Sequence, residues 1–285
     1  MNINPDMDTL YSPSKWCRRF NGDGATKYFS DFIQRVSNNV RTKIPCQLNL
    51  SYGAEYHEKI DIFGFDLPKD APIFVFVHGG YWQESSKDES CYMAQMFYQN
   101  GIKTIIIGFN LCPHVTVEGQ VKEVTQGVKK SLELAEEWGA KKVVIAGHSS
   151  GAHVVACLLE RLNQYTESQR KLIVGLLLVA GIYDIVPIVD TYANDLLFLT
   201  KDTARQISPM YKDIERNDIK IYVLVAEFES PAFIEQSEKY YEKLKKLNFK
   251  VELIKYKDHD HFTIMEDLVH DTYDMSKLIF SLLKN

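Results

Sequence analysis

The stretch Lys142-Val143-Val144-Ile145-Ala146-Gly147-His148-Ser149-Ser150-Gly151-Ala152-His153 decides how the rest of the chain is read. Residues 142–147 are a short apolar run with β-branched side chains and no helical period, which predicts a buried strand. The run enters Gly147-His148-Ser149-Ser150-Gly151, and a helical segment follows at once. Strand, G-x-S-x-G and helix in that order make a nucleophile elbow. Its turn lifts the serine hydroxyl above the sheet, and glycine stands where a side chain would strike a neighbouring element. The helix start adds a positive dipole end beneath a developing oxyanion. Ser149 is the candidate nucleophile; an inert serine in a glycine-rich turn is the plainer reading, and the elements on both sides argue against it.

Further apolar runs flank the elbow: PIFVFV (72–77), KTIIIGF (103–109), IVGLLLVAG (173–181), KIYVLVAE (220–227) and KVELIKY (250–256). All but the last show little polar alternation, as strands buried on both faces do. Between them, residues 118–139 place Val121, Val124, Val128, Leu132 and Ala135 on one stripe, with Gly139 as a stop. Residues 231–248 open on Pro231 and gather lysines at their end, again a helix. Weaker helical patterns cover 27–40, 87–100, 150–163 and 271–284. The sequence thus predicts an α/β fold, a mostly parallel central sheet flanked by helices, in one domain spanning 1–285. QLNLSYG (47–53) and EKIDIFGF (58–65) read as two strands entering it antiparallel. The strand-poor stretch from Asp184 to Tyr211 is expected to build a small helical cap over the carboxyl edge, where open α/β sheets bind ligands.

Composition narrows the function. Thirty-eight acidic against 33 basic side chains give a net charge of -5, which favours neither nucleic acid nor an anionic membrane. The most apolar segment, 172–182, is shorter than the roughly 18 residues of a membrane span. The five cysteines (Cys17, Cys46, Cys91, Cys112, Cys157) are scattered, odd in number and without a CxxC pair, so neither a disulfide framework nor a metal site is expected. Residues 1–20 lack a basic start followed by an apolar core, so no secretory leader is read there and a cytoplasmic setting is expected. The Asn49-Leu50-Ser51 sequon carries no weight without a secretory route.

His78-Gly79-Gly80-Tyr81-Trp82 directly follows the strand PIFVFV. In elbow hydrolases one oxyanion N–H comes from the residue after the nucleophile, here Ser150, and another from an H-G-G loop leaving an earlier strand, here Gly79 and Gly80. A base must follow the serine, and four histidines do. His153 lies four residues into the helix and reads as packing. His259 and His261 share the loop after the last strand, with His261 preferred because Phe262 and Ile264 anchor the next turn. Two carboxylates compete for the acid, Glu227 and Glu229, with Glu229 in the loop the better placed; Asp258 and Asp260 are poorly directed neighbours of the histidine.

Together H-G-G-Y-W, G-H-S-S-G, E-F-E-S-P (227–231) and D-H-F (260–262) resemble the kynurenine formamidase (arylformamidase) family of α/β hydrolases. The resemblance includes Leu10-Tyr11-Ser12-Pro13-Ser14-Lys15-Trp16 and Gly181-Ile182-Tyr183-Asp184 through Ser208-Pro209-Met210. It implies a catalytic set of Ser149, Glu229 and His261, with Gly79, Gly80 and Ser150 around the oxyanion. One departure stands out: the family usually carries Asp where this chain has Glu229. The implied reaction is hydrolysis of N-formyl-L-kynurenine to L-kynurenine and formate, with a small-molecule substrate, no metal and no organic cofactor. Tyr81, Trp82 and Tyr183 are candidate ring contacts for the aromatic leaving group, beside an ordinary core-packing reading of each. A general carboxylesterase for small esters and a catalytically inactive hydrolase-fold binding protein are the alternatives. A homodimer is compatible with the sequence.

Overall fold

The computed structural model describes residues 6–20, 24–215 and 217–284; the first five residues of the segment read for a leader lie outside them. Eight strands form one sheet: β1 (Cys46–Ser51), β2 (Lys59–Phe63), β3 (Ile73–Val77), β4 (Lys103–Ile107), β5 (Val143–His148), β6 (Ile173–Val179), β7 (Lys220–Phe228) and β8 (Lys250–Asp260). Their order is β1-β2-β4-β3-β5-β6-β7-β8. β1, β2 and β4 pair antiparallel, and every neighbour from β4 to β8 is parallel. All the expected strands are present.

Both sheet faces are covered, which is why the central runs do not alternate with polar residues. Ile73, Val75 and Val77 of β3 pack in one core with Val124, Val128 and Leu132 of the crossover helix Val117–Trp138. Phe74 and Phe76 point the other way, into a core with Phe97 and Ile279. Gly139 ends the crossover helix in the left-handed conformation (φ 76°), a backbone state that glycine adopts without a Cβ clash. The helix Pro231–Lys246 and the terminal helix Asp274–Lys284 also follow the pattern.

Two helices are shorter than their patterns. The segment expected to be helical over 87–100 is helical only over Ala94–Gln99. Upstream, Lys87 reaches the fully buried Asp61 of β2, as does Arg41 from the long helix Gly24–Lys43, and this ion cluster holds residues 83–93 as a loop. After the elbow, the helix Ser150–Cys157 tightens into a 3-10 turn at Leu158–Gln164. Among the described residues no helix is long and apolar enough to cross a membrane.

Residues 184–211 fold into short helical pieces, Val186–Asp190, Asn194–Leu197, Lys201–Ile207 and Pro209–Tyr211. They are pinned from outside the segment. Gln236 accepts the N–H groups of Tyr183 and Asp184 and donates to the Asp184 carbonyl, while Lys243 donates to the carbonyls of Pro209 and Met210.

Candidate active site

The end of β5 turns sharply at Ser149, whose backbone sits at φ 55°, ψ -121°, a region that L residues avoid. The surroundings impose this. The Ser149 N–H donates to the carbonyl of Val179 on β6 at 2.8 Å. A Cβ at Gly147 would lie 2.3 Å from the Gly151 carbonyl oxygen, and one at Gly151 would lie 2.4 Å from the oxygens of Val77 and His78. At these two glycines strand, helix and H-G-G loop therefore approach backbone to backbone. Ser150 is the first residue of its helix, so its N–H has no acceptor within that helix and is free to serve an oxyanion.

The H-G-G loop runs directly beside the serine: a Cβ on Gly79 would come within 3.0 Å of the Ser149 Cβ and 2.8 Å of the His148 carbonyl oxygen. Gly80 has φ 111° and accepts the N–H of Glu84 at 2.8 Å, closing a tight turn. His78 stacks on Phe109 (4.4 Å, 11°) and donates from Nδ1 to the Gly79 carbonyl at 2.8 Å. Burial pushes its pKa down to about 4, so it is neutral at pH 7.

Trp82 is not at the cavity, which corrects the expectation of a ring contact. It is 2% exposed and stitches the loop to the elements behind it. Its backbone N–H donates to Ser150 Oγ (3.3 Å), its indole N–H donates to His153 Nδ1 (3.2 Å), and its carbonyl accepts Gln120 Nε2 (2.6 Å). Since His153 Nδ1 accepts, Nε2 carries the proton and donates to the Ile207 carbonyl at 2.8 Å. Tyr183 is corrected likewise: it is fully buried, stacked on Tyr240 (4.2 Å, 8°) beneath the short helices. Tyr81 does line the cavity, with its hydroxyl donating to the Tyr11 carbonyl.

On the other flank, His261 Nδ1–H donates to Glu229 Oε1 at 2.7 Å. Both residues are 4% exposed. Among the described residues, the second carboxylate oxygen of Glu229 has no hydrogen-bond partner. Phe233 meets the imidazole edge-on (5.3 Å, 84°), and His148 donates from Nε2 to the His261 carbonyl at 3.0 Å. Burial, and then the neighbouring His261, push the His148 pKa well down, so that ring is a neutral donor. The competing residues are engaged elsewhere. Glu227 accepts the Asp258 N–H, and Asp260 accepts from Arg19, Phe262 and Thr263. His259 pairs with Asp267 at 3.0 Å, a hydrogen bond that raises its pKa.

Ser149, His261, Gly79, Gly80 and Tyr81 open on one cavity of about 650 Å³. The expected cap contributes only Tyr192 to its lining. Most of the outer wall comes instead from the amino-terminal segment, including Thr9, Ser12 and Ser14, and from Phe29 and Ile33 of the helix Gly24–Lys43. Sequence reasoning missed this wall. Its one signal was the resemblance over residues 10–16, which named a segment but no task.

A family model described as the alpha/beta hydrolase fold matches residues 74–265. Kynurenine formamidase from Danio rerio is 31% identical over 98% of this chain and 96% of its own length, and the Drosophila melanogaster protein of the same name is 31% identical over 96% of each. Among solved structures, a Silicibacter sp. protein provisionally described as a thioesterase superposes with a TM-score of 0.80 at 25% identity, covering 99% of this chain and all of that one. An arylesterase structure has the same fold with a TM-score of 0.68 at 16% identity, covering 100% of this chain and 99% of its own. With a buried imidazole–carboxylate pair and a strained serine facing one cavity, and with likeness running nearly end to end, the chain belongs to the kynurenine formamidase family of α/β hydrolases.

Proposed function

We propose that this protein hydrolyses N-formyl-L-kynurenine to L-kynurenine and formate, with Ser149 as nucleophile, His261 as base and Glu229 as the acid that orients it. His261 Nε2 takes the Ser149 proton as Oγ attacks the formyl carbon. The N–H groups of Gly79, Gly80 and Ser150 receive the oxyanion, and loss of one such donor typically costs ~3–4 kcal/mol of transition-state stabilisation. The imidazolium, steadied by Glu229, gives its proton to the departing aryl amine and the C–N bond breaks. Water, deprotonated by His261, then releases formate from Ser149 and restores the hydroxyl.

The observation that carries this reading is the buried 2.7 Å bond between His261 and Glu229, opening with Ser149 on one cavity. Near-full-length likeness to proteins named kynurenine formamidase supports the substrate. The whole of 1–285 is read as one catalytic unit with 184–211 as an insertion. The five free thiols support a reducing, cytoplasmic setting. Light scattering distinguishes a monomer from the homodimer the sequence allows.

The test follows formate release from N-formyl-L-kynurenine beside p-nitrophenyl ester hydrolysis, in the wild type and in Ser149→Ala. The expected result is a catalytic efficiency higher for the formamide and nearly abolished in the variant. A strong preference for esters would favour the carboxylesterase reading, which the arylesterase-like fold also accommodates. Wild-type rates in Ser149→Ala would name another nucleophile.

A further inference from the structure

The amino-terminal segment walls the cavity and then enters the turn that carries His261. There the Arg19 guanidinium makes a fork with Glu266, Nη1 to Oε2 at 2.9 Å and Nη2 to Oε1 at 2.8 Å, and donates from Nε to Asp260 Oδ2 at 3.1 Å. Cys17 Sγ–H also donates to Asp260 Oδ2, at 3.0 Å. The other Asp260 oxygen accepts the N–H groups of Phe262 (2.9 Å) and Thr263 (2.8 Å), just past the histidine. Asp260 and Glu266 are 4% and 8% exposed, so without a cation they would be two uncompensated carboxylates bracketing residue 261. Burial works against the Asp260 charge, yet the Thr263 N–H, Cys17, the Phe262 N–H and Arg19 together hold its carboxyl below the usual range. Next in the chain, Arg18 lies 3.7 Å above the ring of Phe228, the residue before Glu229. Two consecutive arginines thus grip the acid's neighbour and the base's neighbours.

We propose that Arg19 is a positioning residue for the reaction at Ser149: by holding Asp260 and Glu266 it fixes the turn 260–266, and with it the direction of the His261 imidazole. The inference rests on the reading of His261 as base. It also makes the outer wall of the cavity and the base one mechanical unit, since residues 9–15 and Arg19 belong to the same short segment. Proton transfer requires the base within hydrogen-bond reach of the hydroxyl. A misplacement of about 1 Å at a reacting group can cost roughly a hundredfold in rate.

The test uses the full chain as Arg19→Met, Arg19→Lys and Glu266→Gln, assayed on N-formyl-L-kynurenine and on p-nitrophenyl acetate. Rates are expressed per Ser149 titrated with a fluorophosphonate, so that unfolded molecules are not counted. In Arg19→Met we expect kcat per titrated site to fall roughly a hundredfold on both substrates, a larger change than in KM. Arg19→Lys should lie between it and the wild type, because an ammonium can hold one carboxylate but cannot form the fork. A merely structural arginine would lower the melting temperature and leave kcat per titrated site unchanged; that result overturns the proposal. Should Arg19→Met fail to fold, Glu266→Gln carries the same test: reduced kcat supports the role and wild-type kcat overturns it. Failure of the formamide alone, with esters still turned over, would overturn the substrate reading and leave this test running on the ester.

Discussion

The two flanks of Ser149 are built from opposite materials. On the β7–β8 side the groups behind the cavity are charged or charge-paired: Glu229 with His261, and Arg19 with Asp260 and Glu266. On the β3 side the groups directly behind the H-G-G loop are neutral: Trp82 bonded to His153, with His153 and His78 each donating to a backbone carbonyl; the ion cluster of Asp61, Lys87 and Arg41 holds the loop that follows. The difference fits what the proposed mechanism asks of each flank. In the proposed mechanism a proton moves on one side and a positive charge appears there transiently, so a buried carboxylate is useful. On the other side only backbone N–H groups are needed, and these are best fixed by packing and neutral hydrogen bonds, which bring no desolvated charge.

The comparison is sharpest at Glu229. Glu229→Gln keeps the size of the side chain but favours the wrong imidazole tautomer, and is expected to lower kcat by roughly 10⁴-fold with little change in melting temperature. Steady-state kinetics beside a thermal melt checks it; a modest rate loss would mean the charge on that flank is dispensable.

Across the cavity, Gly79→Ala puts a methyl 3.0 Å from Ser149 Cβ and 2.8 Å from a backbone oxygen. The loop must shift, and the expected loss is about 10²–10³ in kcat, the cost of one misplaced oxyanion donor. A rate within a few-fold of wild type would show that the loop tolerates movement.

The neutral flank should also lose stability in acid. His78 and His153 have folded pKa values of about 4, lowered by burial from 6.5. Unfolding lets them bind protons between those values, so stability is full above pH 6.5, is lost as pH falls towards 4, and levels off below. Each histidine contributes up to about 3 kcal/mol to that loss. Urea midpoints measured from pH 7 to pH 4 test it, and a flat profile would break the comparison.

The smallest effect is expected for Trp82→Phe, which leaves His153 Nδ1 without its donor. Stability should fall by about 1–3 kcal/mol while KM for the substrate stays unchanged. A raised KM would return Trp82 to the cavity.

Features set by near neighbours in the chain were legible in the sequence. Residues 142–151 alone specify strand, tight turn and helix, and the uninterrupted apolar runs specify a sheet covered on both faces. The proximity of Glu229 to His261 was readable because each lies just beyond a predicted strand at the same edge. What was not legible depends on distant partners. Trp82 looks like any aromatic in a ligand loop until Gln120 and His153 are seen to take its polar groups. That residues 184–211 give the cavity only Tyr192 was not readable, because Gln236 and Lys243, far along the chain, fix the backbone of that segment. No local period announces that residues 9–15 wall the cavity.

The twisted backbone of residue 149 has an evolutionary consequence. Every folded copy carries that conformational cost, on the order of 1–3 kcal/mol, whether or not a substrate ever arrives. A lineage relieved of selection for turnover would gain thermal robustness by replacing the serine with glycine, which adopts positive φ freely. On the proposed reading of Ser149 as nucleophile, the hydroxyl in so unfavourable a posture is an expense that its use in turnover sustains.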